Sequence, residues 1–305
     1  MPRPLLIVLA GPTAIGKTAA AIRLAQHFDA EIISADSRQF YKELSIGTAK
    51  QTTEERAQAV HHFVDFLSIE DEYSAGDFER DVIEFLDQYF KEKSVAILTG
   101  GSGLYIKAIT KGFDELPSDL LVRASLIKKF EEKGIEPLQE ELKALDPEHY
   151  AAMDIHNPQR LMRALEVCKA SGHKYSDLRL TAGKERAFDV MYVGLTAERE
   201  VIYDRINQRV DLMMEAGLEV EAKAVFPQRD RNALNTVGYK ELFQYFDGQL
   251  DKETAVEKIK QHTRNFAKRQ MTWFRKNTDI QWFDFRASEE MISWIEDAIT
   301  KRQEA

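Results

Sequence analysis

The chain has 305 residues, 44% of them apolar and 30% charged, with a formal net charge of −9. That length can bury a full core, and the apolar runs are far too short to span a membrane, so no membrane association is expected. A single cysteine, Cys168, excludes an internal disulfide and a cysteine-built zinc cluster, and suits a reducing cytoplasm.

Met1-Pro2-Arg3-Pro4 passes straight into an apolar run, so no signal peptide is expected. Leu5-Leu6-Ile7-Val8-Leu9 predicts a buried strand over Pro4 to Ala10. Gly11-Pro12-Thr13-Ala14-Ile15-Gly16-Lys17-Thr18 follows, reading G-x-x-x-x-G-K-T, and opens a helix from Lys17 to Phe28. Its glycines allow a tight turn whose N–H groups face an anion, and the helix N-terminus adds positive charge at the same spot. Lys17 reaches terminal phosphate oxygens and Thr18 can hold a bridging Mg²⁺. The pattern predicts a phosphate or diphosphate site.

Glu31 to Ser34 predicts a second strand, ending just before Asp36, and His62 to Ser68 another extended segment. A helix is expected from Ser74 to Glu92, with Ser74 as its N-cap. Val95 to Thr99 reads as a strand, ending at Gly100-Gly101-Ser102-Gly103, and Leu104 to Thr110 as a helix. This βα alternation implies a mostly parallel sheet covered on both faces, with ligands at the carboxyl ends of the strands. The glycine-rich loop, Asp36 and Ser102 all fall at such ends. Residues 113–187 read as helices, with Pro117, Pro137, Pro147 and Pro158 near helix starts. Val190 to Leu195 returns as a strand. Helices then dominate, including a long one from Lys252 to Lys276, before a short strand at Ile280 to Phe285 and a last helix. The expected fold is α/β: a P-loop NTPase-like, mostly parallel sheet over 1–112 and 188–305, with an all-helical insertion over 113–187.

Several groups carry possible chemistry. Asp36, beside the phosphate loop, reads as outer-sphere support for Mg²⁺, as a general base, or as the cap of the next turn. The glycines at 100, 101 and 103 permit close backbone approach to a ligand, and Ser102 offers a hydroxyl and a helix cap. His61 and His62 are adjacent on an extended segment and point to opposite faces, so they cannot readily share a metal. Asn157-Pro158-Gln159-Arg160-Leu161-Met162-Arg163 starts a helix with a polar, basic first turn able to contact phosphates or base edges. From Lys258 to Lys276 the chain carries Lys258, Lys260, Arg264, Lys268, Arg269, Arg275 and Lys276 and no acid. This reads as a polyanion site or as a solvated helix face. Phe266, Gln270, Trp273 and Phe274 lie near one side of that helix, most simply a core face, with Arg264, Lys268 and Arg275 on another.

Together these segments resemble the tRNA dimethylallyltransferases, also called tRNA isopentenyltransferases. Besides the phosphate loop, the resemblance rests on Asp36-Ser37-Arg38-Gln39-Phe40-Tyr41, Ile46-Gly47-Thr48-Ala49-Lys50, His61-His62 and Tyr73-Ser74-Ala75-Gly76-Asp77-Phe78. It continues through Gly100 to Tyr105, Gln159-Arg160 with Arg163-Ala164-Leu165-Glu166, Gly238-Tyr239-Lys240-Glu241, and Ala267-Lys268-Arg269-Gln270 with Thr272-Trp273-Phe274-Arg275. It implies transfer of a dimethylallyl group from dimethylallyl diphosphate to the N6 amine of the adenosine 3′ of a tRNA anticodon, by a cytoplasmic monomer. Under it, Gly11, Thr13, Ala14, Ile15, Gly16, Lys17 and Thr18 would hold the diphosphate, with Mg²⁺ on Thr18. Asp36 would be the general base, with Thr13 and Lys17 also catalytic. Asp36, Ser37, Arg38, Gln39, Ser102, Arg123, Gln159, Arg160, Leu161, Met162 and Arg163 would contact the tRNA anticodon stem-loop, with Arg264 and Lys268 of the basic stripe. The acceptor base would leave its stack to enter a channel, and the insertion would grip the stem-loop.

This chain departs from the family pattern at Ile15, where a small residue is common, at Ser102, where threonine is common, and at Lys42-Glu43-Leu44-Ser45, which lacks the usual glycine-containing turn. No cysteine pair follows the core, as in the shorter bacterial form. Three other readings stand beside it: a small-molecule P-loop kinase, an isopentenyltransferase acting on free adenylate, and a non-enzymatic RNA-binding protein.

Overall fold

A computed structural model describes residues 3–114, 116–178 and 183–304; Met1 and Pro2 lie outside the described residues. Six parallel strands form one sheet: β1 (Leu5–Ala10), β2 (Ile32–Ser34), β3 (His61–His62), β4 (Val95–Thr99), β5 (Asp189–Thr196) and β6 (Gln281–Asp284), in spatial order β3-β2-β4-β1-β5-β6. Between them run α1 (Lys17–His27), α2 (Thr53–Arg56), α3 (Ala75–Tyr89) and α4 (Gly103–Lys111). The helices α5 (Leu120–Lys133), α6 (Glu136–Leu145), α7 (Pro147–Ala152), α8 (Pro158–Ser171) and α9 (Tyr175–Leu178) come next. After β5 follow α10 (Arg199–Glu215), α11 (Leu218–Val225), α12 (Tyr239–Phe246) and α13 (Lys252–Phe274), and after β6 comes α14 (Ser288–Glu304).

Strand β1 is central and buried at every position, as its unbroken apolar run requires of a parallel strand covered on both faces. Its side chains alternate between two cores. Leu6, Val8 and Ala10 join one cluster with Phe40, Phe78, Tyr239 and Phe274; Leu5, Ile7 and Leu9 join the other with Ile15, Leu24, Ile206 and Ile295. Ser74 caps α3 through a reciprocal box with Asp77, so the sequence signal for that start has a direct physical basis. The extended reading of His62 to Ser68 does not hold. His61 and His62 pair in the sheet and Leu67 makes one isolated parallel bridge to Tyr41, the run between them being broken where Phe63 and Asp65 take left-handed backbone angles, φ 59° and 57°.

The chain divides into two compact units, 1–111 with 185–305, and 112–184. The second has its own apolar centre, in which Leu126, Leu138, Leu142, Leu161 and Leu165 pack together. Asn157 caps α8 and Pro158 sits in its first turn, while Gly172 closes it in the left-handed conformation.

Candidate active site

The site forms at the carboxyl ends of β1, β2 and β4. Gly11 has no alternative: a Cβ there would lie 2.9 Å from the Leu195 carbonyl oxygen. Gly16, at φ 106°, makes the turn into α1. Lys17 folds back so that Nζ donates to the Gly11 and Pro12 carbonyls, both at 2.9 Å. Burial, with Arg209 nearby, pushes its ammonium down to about 8 from 10.5, while Asp36 opposes the shift.

Two arginines from α10, one helical turn apart, complete the positive lining. Arg205 Nε donates to the Ala14 carbonyl at 2.8 Å, and its guanidinium lies over the Phe285 ring at 4.9 Å. Arg209 lines the cavity and makes no hydrogen bond or ion pair among the described residues. Burial and the Arg205 charge lower its pKa. Three cations around a glycine-rich loop at a helix N-terminus call for a multiply charged anion. Both arginines escape sequence reading. An i, i+4 arginine pair is a common solvated pattern, and only the fold carries α10 to the loop.

Asp36 follows β2. Its Oδ1 accepts the Arg38 N–H at 3.1 Å. Desolvation raises its pKa above the ordinary 3.8, opposed by that N–H and by the Lys17 and Arg38 charges. Ser37 N donates to Ser102 Oγ at 3.2 Å, and the two hydroxyls are 3.2 Å apart. Arg38 is braced by the Asn232 and Asn235 carbonyls at 3.0 and 3.4 Å.

Gln270 of α13, buried and unremarked as a site residue by sequence, joins the two loops. Its Oε1 accepts from Thr13 N at 2.8 Å and its Nε2 donates to the Gly101 carbonyl at 2.9 Å. The glycines at 100, 101 and 103 serve this packing, and the close approach expected toward a ligand is made to protein. A Cβ on Gly100 would sit 2.2 Å from the Ala35 oxygen, on Gly101 2.6 Å from Gln270 Nε2, and on Gly103 2.2 Å from Trp273 Nε1.

These elements wall a cavity of about 780 Å³. Thr13, Asp36, Ser37, Arg38 and Ser102 lie on it together, facing residues 47–49, α12 and one side of α13. Phe266 and Trp273 line it too, 37% and 39% exposed, so the face of α13 read as core is in part a cavity wall. Ala267, Gln270 and Phe274 do pack inward.

Other expected site residues lie elsewhere. Gln39 is buried; its amide donates to the Thr48 and Ala49 carbonyls and its oxygen accepts from Ser34 and Gln51. It holds the loop and lies outside the cavity lining. Arg264 is tied to Asn207 Oδ1 at 2.6 Å and lies near the Tyr203 ring, so it is not a free cation. Lys268 is exposed and, like Arg264, outside the cavity lining. In the 112–184 unit, Leu161 and Met162 are core residues, which rules out contact through their side chains. Arg160 is exposed. Arg123 donates to Gln159 Oε1 at 2.6 Å and pairs with Glu166, which also holds Arg163 at 3.2 Å. Arg163 further donates to the Leu116 and Pro117 carbonyls, both at 3.1 Å.

Among the described residues no group of three or more His, Cys, Asp or Glu side chains could cage a metal. The Thr18 hydroxyl makes no side-chain hydrogen bond among the described residues. One free hydroxyl beside an anion site fits Mg²⁺, which keeps several waters and shares its shell with phosphate oxygens.

Sheet order, glycine-rich loop and cationic lining define a phosphate-loop α/β protein. The IPP transferase family model matches residues 39–277. A tRNA dimethylallyltransferase of Christiangramia forsetii is 53% identical over 96% of this chain and 98% of its own length; that of Flavobacterium johnsoniae is 49% identical over 95% and 96%. The full-length tRNA isopentenylpyrophosphate transferase of Bacillus halodurans superposes with a TM-score of 0.75, at 33% identity, covering 99% of both chains. A eukaryotic dimethylallyltransferase solved while acting on tRNA gives 0.83 at 25% identity, over 98% of this chain and 80% of that one. The chain belongs to the IPP transferase family. No helix among the described residues is long and apolar enough to cross a membrane.

Proposed function

We propose that this protein, as a cytoplasmic monomer, transfers a dimethylallyl group from dimethylallyl diphosphate to the N6 amine of the adenosine 3′ of a tRNA anticodon. One observation carries the reading: Thr13 of the anion loop and the Asp36 carboxylate wall the same cavity. A leaving diphosphate and an attacking amine can therefore meet there. The loop N–H groups, Thr13, Lys17 and Arg209 take the diphosphate. The allylic C–O bond breaks, the N6–C bond forms, and the proton leaves N6 for Asp36. Lys17 and Arg209 neutralise the charge that grows on the diphosphate. Mg²⁺, held by Thr18 and diphosphate oxygens, would add Lewis-acid charge neutralisation. A carboxylate with a raised pKa is a better base than an ordinary one once ionised, and the Lys17 and Arg38 charges favour its ionised form. Ser37, Arg38 and Ser102 border the acceptor, and Arg123, Gln159, Arg160 and Arg163 supply phosphate and loop contacts.

The test is transfer of labelled dimethylallyl diphosphate to unmodified tRNA beside AMP and ATP. The reading predicts label in tRNA alone. Label in AMP would make the acceptor a free nucleotide, and ATP consumption without prenyl transfer would return a kinase.

A further inference from the structure

A second cavity, of about 350 Å³, adjoins the first. Val8 and Ala10 of β1, Ile106 of α4, Tyr192 of β5 and Ile280 line it, and the chemistry at Asp36 uses none of them. Gly103, Trp273 and Phe274 line both cavities and form the wall between them. Phe274 belongs to the buried core, whereas Trp273 is partly exposed. The indole of Trp273 presses on Gly103 so closely that a Cβ there would lie 2.2 Å from Nε1. Nε1 makes no hydrogen bond among the described residues, so packing against Gly103 holds the ring in place.

This wall stands beside the reacting groups. Trp273 follows Gln270 by three residues and so lies about one turn along the same side of α13. Gln270 binds the Thr13 N–H and the Gly101 carbonyl, and a Cβ on Gly101 would lie 3.5 Å from Asp36 Oδ2. The polar side chains of Ser37, Arg38 and Ser102 suit the acceptor. The dimethylallyl group is apolar and gains from an apolar surface, which the indole offers close to the diphosphate loop.

We propose that Trp273, seated on Gly103, limits the donor to one isoprene unit: the indole stops the allylic chain, and the second cavity would take the added carbons of a longer chain once the indole is cut back. Val8, Ala10, Ile106 and Ile280 give that cavity an apolar lining suited to hydrocarbon. Transfer from a longer donor keeps the same balance. The allylic C–O bond breaks, the N6–C bond forms, and the N6 proton passes to Asp36. The proposal rests on the transferase reading above.

The test is steady-state transfer by the full chain to unmodified tRNA, from dimethylallyl diphosphate and from geranyl diphosphate, which is one isoprene unit longer. Wild type should strongly prefer the shorter donor. Trp273→Ala should raise the ratio of kcat/KM for the longer donor over the shorter about a hundredfold. Adding Ile106→Phe, which refills the second cavity, should reverse most of that gain; a general loosening of the site would not be reversed this way. An unchanged ratio in Trp273→Ala, with Tm and dimethylallyl transfer showing a folded enzyme, would overturn the proposal, as would a wild type that uses both donors alike. Should Trp273→Ala fail to fold, Trp273→Leu decides in its place, with a smaller rise in the ratio expected and no rise overturning the proposal. Loss of transfer from both donors at a wild-type Tm would make the indole part of the transfer itself and overturn its role as a chain stop. Wild type that labels tRNA from neither donor would overturn the transferase reading and the proposal with it.

Discussion

Lys17 and Asp36 face each other across an electrostatic compromise. Each is disfavoured as an ion by burial and favoured by the other. A bound diphosphate relieves Lys17 and raises its pKa, so the Lys17-dependent part of diphosphate affinity should be complete below pH about 8 and fall as pH rises through it. Titration calorimetry of wild type against Lys17→Met at several pH values reads this difference. Asp36 gives the opposite limb: kcat/KM should fall as pH drops through a value above the ordinary 3.8, where the base is protonated. Arg209, with no hydrogen-bond or ion-pair partner among the described residues, should be felt through the leaving group. Arg209→Ala should raise KM for dimethylallyl diphosphate about ten- to a hundredfold in steady-state assays, with a smaller effect on tRNA KM.

Loops and helices set where those residues stand, and here legibility divides. The G-x-x-x-x-G-K-T turn, the Asp36 strand end and the Ser74 cap were readable because each is local, its residues meeting within one turn. Gln270 and Arg205 were not, since their partners Thr13, Gly101 and Ala14 lie 169 to 257 residues away, and only the fold carries Arg209 to the cavity. Helical period also misassigned Phe266 and Trp273: it groups side chains by face without saying whether a core or a cavity meets that face. The Gly238-Tyr239-Lys240-Glu241 motif gains meaning the same way. Glu221 accepts from Ser45, Ile46 and Gly47 N–H groups at 2.8 to 3.0 Å and from the Tyr239 hydroxyl at 2.6 Å, holding residues that wall the cavity. A Cβ on Gly47 would meet the buried Tyr239 ring at 2.6 Å. Gly47→Ala should therefore cost about 1–3 kcal/mol in urea unfolding, by overpacking, and raise tRNA KM more than dimethylallyl diphosphate KM.

At the scale of the molecule, the two compact units have separate cores, and each position in them answers to its own unit. Leu6→Ala in the central strand should cost about 2–5 kcal/mol, measured by urea unfolding. The net charge of −9 means that RNA must be drawn by local cations. Arg160→Glu on the exposed first turn of α8 should weaken tRNA binding and flatten its salt dependence. Transfer depends on one carboxylate acting on the acceptor inside the cavity that holds the leaving group. Single-turnover dimethylallyl transfer by Asp36→Asn, with the tRNA Kd measured alongside, tests this most directly. A general base at Asp36 requires a rate about 10²- to 10⁴-fold lower with Kd nearly unchanged; a rate within tenfold of wild type, or rate and binding lost together, would remove that role from Asp36.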